Sequence, residues 1–397
     1  MDKKEAIRKQ VLRSHQSLID LSHRIHAHPE LGFEEEKACG WLCETLDGAG
    51  FKVEQGVCDL PTAFIARAGG GPLHVTICAE YDCLPAIGHA CGHNIIAAMA
   101  VGAATALAKL ADDAGLTVTV LGTPAEEVCN ASGKILLLER GAFEGTHLAM
   151  MAHPAPVDMA IPHFIALCRF EVRYTGKEAH ASAFPELGVN AADALVVAQT
   201  AIGLLRQHIH PTNRVHGIVT HGGEAPNIIP AHTAASYMVR ARTLGDLHEI
   251  RSRVLKCFEA GAIATGSKLD IEGGDKPYAE LVSDRDLAAL YQRNGETLGR
   301  HFIVPGVEMS RAAASTDMGN VSLVFPTIHP VIGINSLPAV NHQPEFTAAS
   351  ITPAADQAIF EGSVAMAWTA IDASADAKLR TRLMSTQPPN SGSIVEA

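Results

Sequence analysis

The chain of 397 residues has no run of the about 18–20 consecutive apolar residues that a membrane span requires, and even its Ala-rich stretch 95–110 is short and lightly apolar. Charge is scarce, at 19% of residues, and leans acidic: 31 Lys and Arg stand against 43 Asp and Glu, for a formal net charge of −12. No cluster of basic side chains stands out, which excludes the phosphate neutralisation on which nucleic-acid binding rests. The opening Met1 to Gln10 is charged and helix-forming and lacks the apolar core of a secretory leader, so the expected location is cytoplasmic. Nine cysteines, odd in number and scattered at positions such as Cys39, Cys78, Cys129, Cys168 and Cys257, have the pattern of reduced thiols and not of a disulfide framework. No fixed-period repeat occurs. What is present is a 47% hydrophobic chain, long enough for two cores, because a single core stops growing at roughly 250–300 residues. A soluble protein with small-molecule partners is expected.

Periodicity divides the chain into three stretches. Over 1–164, helical patterns at 3–28, stopped by Pro29, and at 34–49, stopped by Gly50, precede strands at 52–57 and 62–68. Strand 73–79, helix 95–110, strand 116–122, helix 132–140 and strand 147–151 then alternate as in a doubly wound α/β domain. Over 165–278 the order becomes strand 167–174, helix 189–207, strands 214–221 and 233–241, helix 246–265 and strand 268–273, which is the β-α-β-β-α-β order of a ferredoxin-like unit. Residues 279–397 return to the first style with a helix at 283–299 and a strand at 322–325, and the end of the chain, from 385, is expected to fray. The economical reading is an α/β catalytic domain with a smaller α+β domain inserted in it.

Ligand-type residues fall in four separated loops. His89-Ala90-Cys91-Gly92-His93-Asn94 lies between a strand and a helix, and its glycine lets a thiolate and an imidazole point the same way. Thr123-Pro124-Ala125-Glu126-Glu127 and Met151-Ala152-His153-Pro154 each follow an apolar strand, and Asn341-His342-Gln343-Pro344 lies near the C-terminus. In open α/β sheets ligands bind beyond the carboxyl ends of strands, so loops distant in sequence converge. A metal hydrolase needs ligands, an open position for water and a base, and paired carboxylates can divide the ligand and base roles, with Glu127 ligating and Glu126 reaching the water. Each fragment alone also has an ordinary reading: a buried cysteine with a capping histidine, a core histidine, or acids in the first turn of a helix, where the dipole favours them. Among 20 histidines, His147, His163, His208, His210, His221 and His232 read as structural or surface residues.

Taken with Arg24-Ile25-His26-Ala27-His28-Pro29-Glu30-Leu31-Gly32-Phe33-Glu34-Glu35, these motifs resemble the di-metal aminoacylase and carboxypeptidase family over nearly the whole chain. The Cys-Gly-His loop is similar to its amidohydrolase branch of hippurate, aminobenzoyl-glutamate and indole-acetyl-amino-acid hydrolases. Asn94 and the run 315–322 resemble dipeptidase-like members acting on Xaa-Arg or Xaa-Lys. The resemblance implies a mixed-sheet, zinc-peptidase-like catalytic domain and an inserted ferredoxin-like lid that pairs two chains into a homodimer. It implies two divalent ions per subunit, Zn, Mn, Co or Ni, bridged by Cys91 and held by His93, Glu127, His153 and His342, with Glu126 as general base. His180, in Gly176-Lys177-Glu178-Ala179-His180-Ala181-Ser182, matches the lid's histidine motif and is implied to assist at the carbonyl oxygen across the dimer. Asn227 and Arg240 match lid positions that hold the substrate's carboxylate or carbonyl, and an Arg fork can bind both carboxylate oxygens. Glu80-Tyr81-Asp82 stands where other branches have His-x-Asp, so Glu80 is not expected to ligate and Asp82 is expected to orient a ligand. The implied activity is hydrolysis of the amide bond of an N-acyl amino acid or dipeptide-like substrate. Two rivals stay open: Cys91 as the nucleophile of a cysteine amidase, and a metabolite-binding protein that keeps the fold without turnover.

Overall fold

In the computed structural model, which describes residues 2–304 and 314–385, the chain opens with helix α1 (Lys3–His26). The Asp2 side chain caps it by accepting from the Lys4 N–H, and its buried stripe is Ile7, Val11, Leu18, Leu21 and Ile25. It ends before His28 because Pro29 disfavours the helical conformation in the residue it follows. Helix α2 (Glu36–Gly48) leads into strands β1 (Lys52–Gln55), β2 (Phe64–Ala68) and β3 (Leu73–Ala79). Then come α3 (His93–Ala108), the single turn α4 (Ala111–Ala114), β4 (Leu116–Gly122), α5 (Gly133–Glu139), β5 (Leu148–Met150) and β6 (His153–Ala155). Helix α3 is apolar on all sides, which a helix can be only when it is surrounded. Nearly every one of its residues is buried, and α1 lies against it.

The chain next forms β7 (Ala166–Thr175), α6 (Ala191–Leu205), β8 (Arg214–His221), β9 (His232–Ala241), α7 (Leu244–Thr265) and β10 (Lys268–Gly273). These strands make a separate four-stranded sheet in the order β10-β7-β9-β8, with every pairing antiparallel. That is the ferredoxin-like unit. One face packs on the two helices through Phe170, Val172, Tyr237 and Val239, with Phe258 of α7 against them; the alternate residues, Leu167, Arg169, Met238 and Arg240 among them, face the other way.

The remaining elements are α8 (Arg285–Thr297), α9 (Met318–Ser322), β11 (Thr327–Ile328), β12 (Val331–Gly333), α10 (Pro344–Ala349), α11 (Pro353–Ala375) and α12 (Ala377–Ser385). Helix α11 returns to pack on α1 and α3. The main sheet has the order β1-β2-β4-β3-β5-β11 and is mixed: β1 and β2 join antiparallel, whereas β3, β4, β5 and β11 run parallel. β6 and β12 form a parallel pair of their own.

Two expectations need correcting. No strand forms at 322–325: residues 318–322 make a helical turn, with the Ser322 hydroxyl donating to Gly319 O, and the strand begins only after Pro326. A short apolar run carries no period that separates the two states. The fray expected from 385 meets Ser385 as the last residue of α12; the rest of it lies outside the described residues.

Candidate metal centre

The four loops converge at the carboxyl ends of the parallel strands. Between β3 and α3 the chain reverses at Gly92 with φ of 76°, where a Cβ would stand 2.5 Å from Pro154 Cγ. Only glycine fits that turn, and it brings Cys91 and His93 to one side. After β4, Ala125 and Cys129, both at φ of 59°, bracket Glu126 and Glu127 in a tight 3-10 turn. Such left-handed backbone costs about 1–3 kcal/mol per non-glycine residue and persists only where the surroundings impose it. Here the buried Glu35 accepts from Ala125 N at 2.8 Å and from Thr62 Oγ1 at 2.9 Å, and burial followed by the nearby Asp82 charge raises its carboxyl to about 7. The Tyr278 hydroxyl donates to Glu126 O and accepts from Cys129 N. His153 opens β6, and its Nδ1 donates to Pro154 O at 2.8 Å, which leaves Nε2 free to accept. His342, itself at φ of 69°, is fixed by its N–H to Ala90 O at 2.9 Å.

Cys91 Sγ lies 3.4 Å from His153 Nε2 and 3.5 Å from His342 Nε2. Glu127 Oε1 lies 3.5 Å from His342 Nε2 and 3.9 Å from His93 Nε2. The donor atoms of Cys91, His93 and His153 all fall within 4.8 Å of one another, as do those of Cys91, Glu127 and His342. The thiol is therefore shared by two three-donor groups. His93 Nε2 and Glu127 Oε1 are buried with no hydrogen-bond partner, a costly state for polar atoms unless something else binds them. A soft thiolate, three imidazoles and a carboxylate fit a pair of divalent ions. Asp82 holds both groups in place: Oδ1 accepts from His93 Nδ1 at 2.8 Å and Oδ2 from Glu127 N at 2.9 Å, the ligand-orienting position expected of it.

The electrostatics separate the paired carboxylates. Burial, reinforced by the charges of Glu80, Glu127 and Asp317, pushes Glu126 well above the usual carboxylate range. Burial also acts on Glu127, but His342 and His93 outweigh it and hold it low. Adjacent acids whose affinities for a proton are driven apart suit one proton-handling and one ligating role. Burial holds His153 down at about 4 and so neutral, the form in which imidazole binds a metal. For Cys91, burial and the Glu127 charge push the thiol up, opposite to the electropositive setting that makes a free cysteine a nucleophile.

Cys91, Glu126, Glu127, His153 and His342 line a cavity of about 290 Å3 whose walls include Met159, Phe164, Leu167 and Arg240. Arg240, on β9, enters from the inserted domain, and its Nη1 donates to Ser315 Oγ at 3.0 Å. His163, read from sequence as structural or surface, lines the cavity too. His180 and Asn227 do not: both belong to the inserted domain and lie next to each other, with Ala181 N donating to Asn227 O at 3.0 Å, and neither borders the cavity of its own chain. Sequence reasoning missed Lys134, which is fully buried and ion-paired with Glu80 and Asp317, and His329, which is stacked on His153 with ring centroids 5.6 Å apart. A lone lysine in a helix's first turn and a histidine after a two-residue strand carry no motif.

A mixed α/β sheet, a cysteine-centred donor cluster beside a proton-raised glutamate, and an inserted ferredoxin-like domain define the class of two-part metallohydrolases. Similarity to known proteins makes this specific. Residues 166–265 match a family described as a peptidase dimerisation domain. The Xaa-Arg dipeptidase of Mus musculus is 41% identical over 367 residues, which cover 89% of this chain and 84% of that protein. One of the subunits of the p-aminobenzoyl-glutamate hydrolase of Escherichia coli is 33% identical over 299 residues, 70% of this chain and 62% of that protein. Among solved structures, a dinuclear metal-binding peptidase of Bacillus subtilis from the M20 family superposes with a TM-score of 0.69 at 21% identity, covering 91% of this chain and 98% of that one. The chain belongs to the M20 peptidase family, whose members hydrolyse amide bonds with metal ions.

Proposed function

We propose that the protein is a homodimeric dipeptidase or N-acyl amino acid hydrolase of the cytoplasm, with residues 165–278 as lid and 1–164 and 279–397 as the catalytic domain. The observation that carries this reading is the clustering of donor atoms of Cys91, His93, Glu127, His153 and His342, all but the buried His93 lining one cavity that Arg240 also lines. The named relatives act on Xaa-Arg and on p-aminobenzoyl-glutamate, both of them an amino acid joined through an amide.

In this reading His93 and His153 would hold one ion and Glu127 and His342 the other, with Cys91 available to both. Divalent ions at such positions acidify water and polarise a carbonyl, and Zn, Mn, Co and Ni all suit the donors. Glu126 takes the proton of the attacking water on a carboxylate oxygen and passes it to the leaving nitrogen. Arg240, steadied by Ser315, grips the free carboxylate of the substrate. His180 and Asn227 act from the lid of the second chain, at the carbonyl oxygen. Pairing of the two chains is supported by the lid sheet, whose outer strand β8 has one unpaired edge among the described residues and exposes Ile218 and Val219; covering such an edge with a second chain is one way proteins manage it.

The test is a hydrolysis screen of metal-reconstituted protein over Xaa-Arg and Xaa-Lys dipeptides, N-acyl amino acids and p-aminobenzoyl-glutamate. Turnover on one class, lost with chelator and restored by a divalent ion, is the expected result. Turnover that survives complete metal removal but not thiol alkylation would replace this reading by a Cys91 amidase.

A further inference from the structure

Beneath Glu126 lies a second cluster that the proposed chemistry does not use. Glu80 at the end of β3, Lys134 in the first turn of α5 and Asp317 before α9 are all fully buried. Lys134 Nζ donates to Glu80 Oε1 and, at 2.5 Å, to Asp317 Oδ1, while the Lys134 N–H donates to Asp317 Oδ2 at 3.2 Å. The acid oxygens of Glu80, Glu126 and Asp317 fall within 4.8 Å of one another, so one ammonium stands among three carboxylates. Its grip on Glu80 is one-sided: Oε2 has no hydrogen-bond partner and points to His93 Nε2, 3.4 Å away.

A buried carboxylate stays charged only when something pairs with it. The Lys134 ammonium pairs with one oxygen of each of two acids, which leaves the cluster a surplus of negative charge, with the free Glu80 oxygen on the side of His93. A cation bound at His93 is attracted by that oxygen and repelled by the fixed ammonium behind it. Outer groups of this kind change how tightly an ion is held without touching substrate.

We propose that Glu80 and Lys134 are positioning residues of opposite sign for the His93 end of the metal centre, Glu80 tightening the ion there and Lys134 limiting how tightly it is held. The inference rests on the reading of Cys91, His93 and His153 as ligands. It separates the two residues, because a purely structural salt bridge would make their losses equivalent.

The experiment titrates full-length, metal-stripped protein with Zn2+ or Mn2+ in competition with a fluorescent chelator and reads the affinity of each equivalent. Wild type should take up two. Glu80→Gln should weaken one equivalent by about 10–100-fold and leave the other unchanged. Lys134→Met should tighten that same equivalent. If Lys134→Met folds poorly, Lys134→Met combined with Asp317→Asn removes one charge of each sign, keeps Glu80, whose oxygen is the one nearest His93, and should still tighten that equivalent, though by less. Glu80→Gln protein that binds both equivalents like wild type, or lysine variants that weaken binding in parallel with Glu80→Gln, would overturn the proposal. Wild type that binds no metal would instead overturn the underlying reading of the ligands.

Discussion

Replacing Cys91 by alanine is the substitution that the geometry makes most consequential. Its sulfur stands within 3.5 Å of both His153 Nε2 and His342 Nε2 and belongs to both three-donor groups. Without it each group is left with two donors, His93 with His153 and Glu127 with His342. Catalytic sites for such ions use three protein ligands. Removing even a group behind a ligand costs about 10–100-fold in affinity, so losing the shared thiolate should cost at least that much at both positions. His153→Ala thins only one group and His342→Ala only the other. The assay is elemental analysis after dialysis against metal-free buffer, with circular dichroism as the check on folding, since trimming one small side chain removes only on the order of 1 kcal/mol of burial. Cys91→Ala protein should come out nearly free of metal, and each histidine variant should keep about one equivalent. Two equivalents retained by folded Cys91→Ala protein would refute the bridging role.

Glu126→Gln should keep its metal and its melting temperature but lose about 10²–10⁴-fold in kcat, because an amide cannot accept the water's proton; near wild-type kcat would remove Glu126 from that role. Asp82→Ala unties His93 Nδ1 and Glu127 N together and should weaken metal binding by about 10–100-fold, read in the same dialysis. Arg240→Ala should raise KM for substrates with a free carboxylate far more than it lowers kcat; a wild type that hydrolyses the corresponding amide equally well would show that Arg240 does not grip the carboxylate.

How much of this was legible in the sequence depended on range. The ferredoxin-like order of β7 to β10 could be read because its alternation is long: five residues of β7 from Ala166 to Tyr174 and four of β9 from Ala235 to Ala241 enter one core. The turn at 318–322 could not, because its five residues fit either state. At the centre, the convergence of Cys91, His93, Glu127, His153 and His342 was readable because ligand chemistry restricts residue type and the first three of the four loops follow strands. Lys134, Glu80 and Asp317 were not. Their meaning lies in an ion cluster between positions up to 183 apart in sequence, and an isolated lysine or aspartate does not announce burial. Asn94, one of the residues that carried the resemblance to dipeptidase-like members, is also a tie inside the protein: its Nδ2 donates to Ser22 Oγ and Ser350 O, binding α3 to α1 and to the turn before α11.

The candidate lid residues of one chain do not all reach its own cavity. Arg240 reaches the cavity of its own chain through β9, where it pairs in register with Leu167, which also lines that cavity. His180 and Asn227 sit together in the inserted domain away from it, joined by the Ala181 N–H to Asn227 O bond and by the pairing of His180 with Ile228. If they serve a second chain, chain pairing belongs to the chemistry and not to metal binding, since every candidate ligand lies in the catalytic part of a single chain. Charging the free edge of β8 with Ile218→Lys and Val219→Lys, at side chains 66% and 46% exposed, places like charges where two edges would meet and costs the isolated chain little. Light scattering should then report a monomer that still binds two equivalents of metal but has lost most of its kcat, and His180→Ala in the dimer should reproduce the loss of kcat without dissociation. A monomer with full turnover would mean that His180 and Asn227 take no part across the dimer, and that one chain carries out the reaction alone.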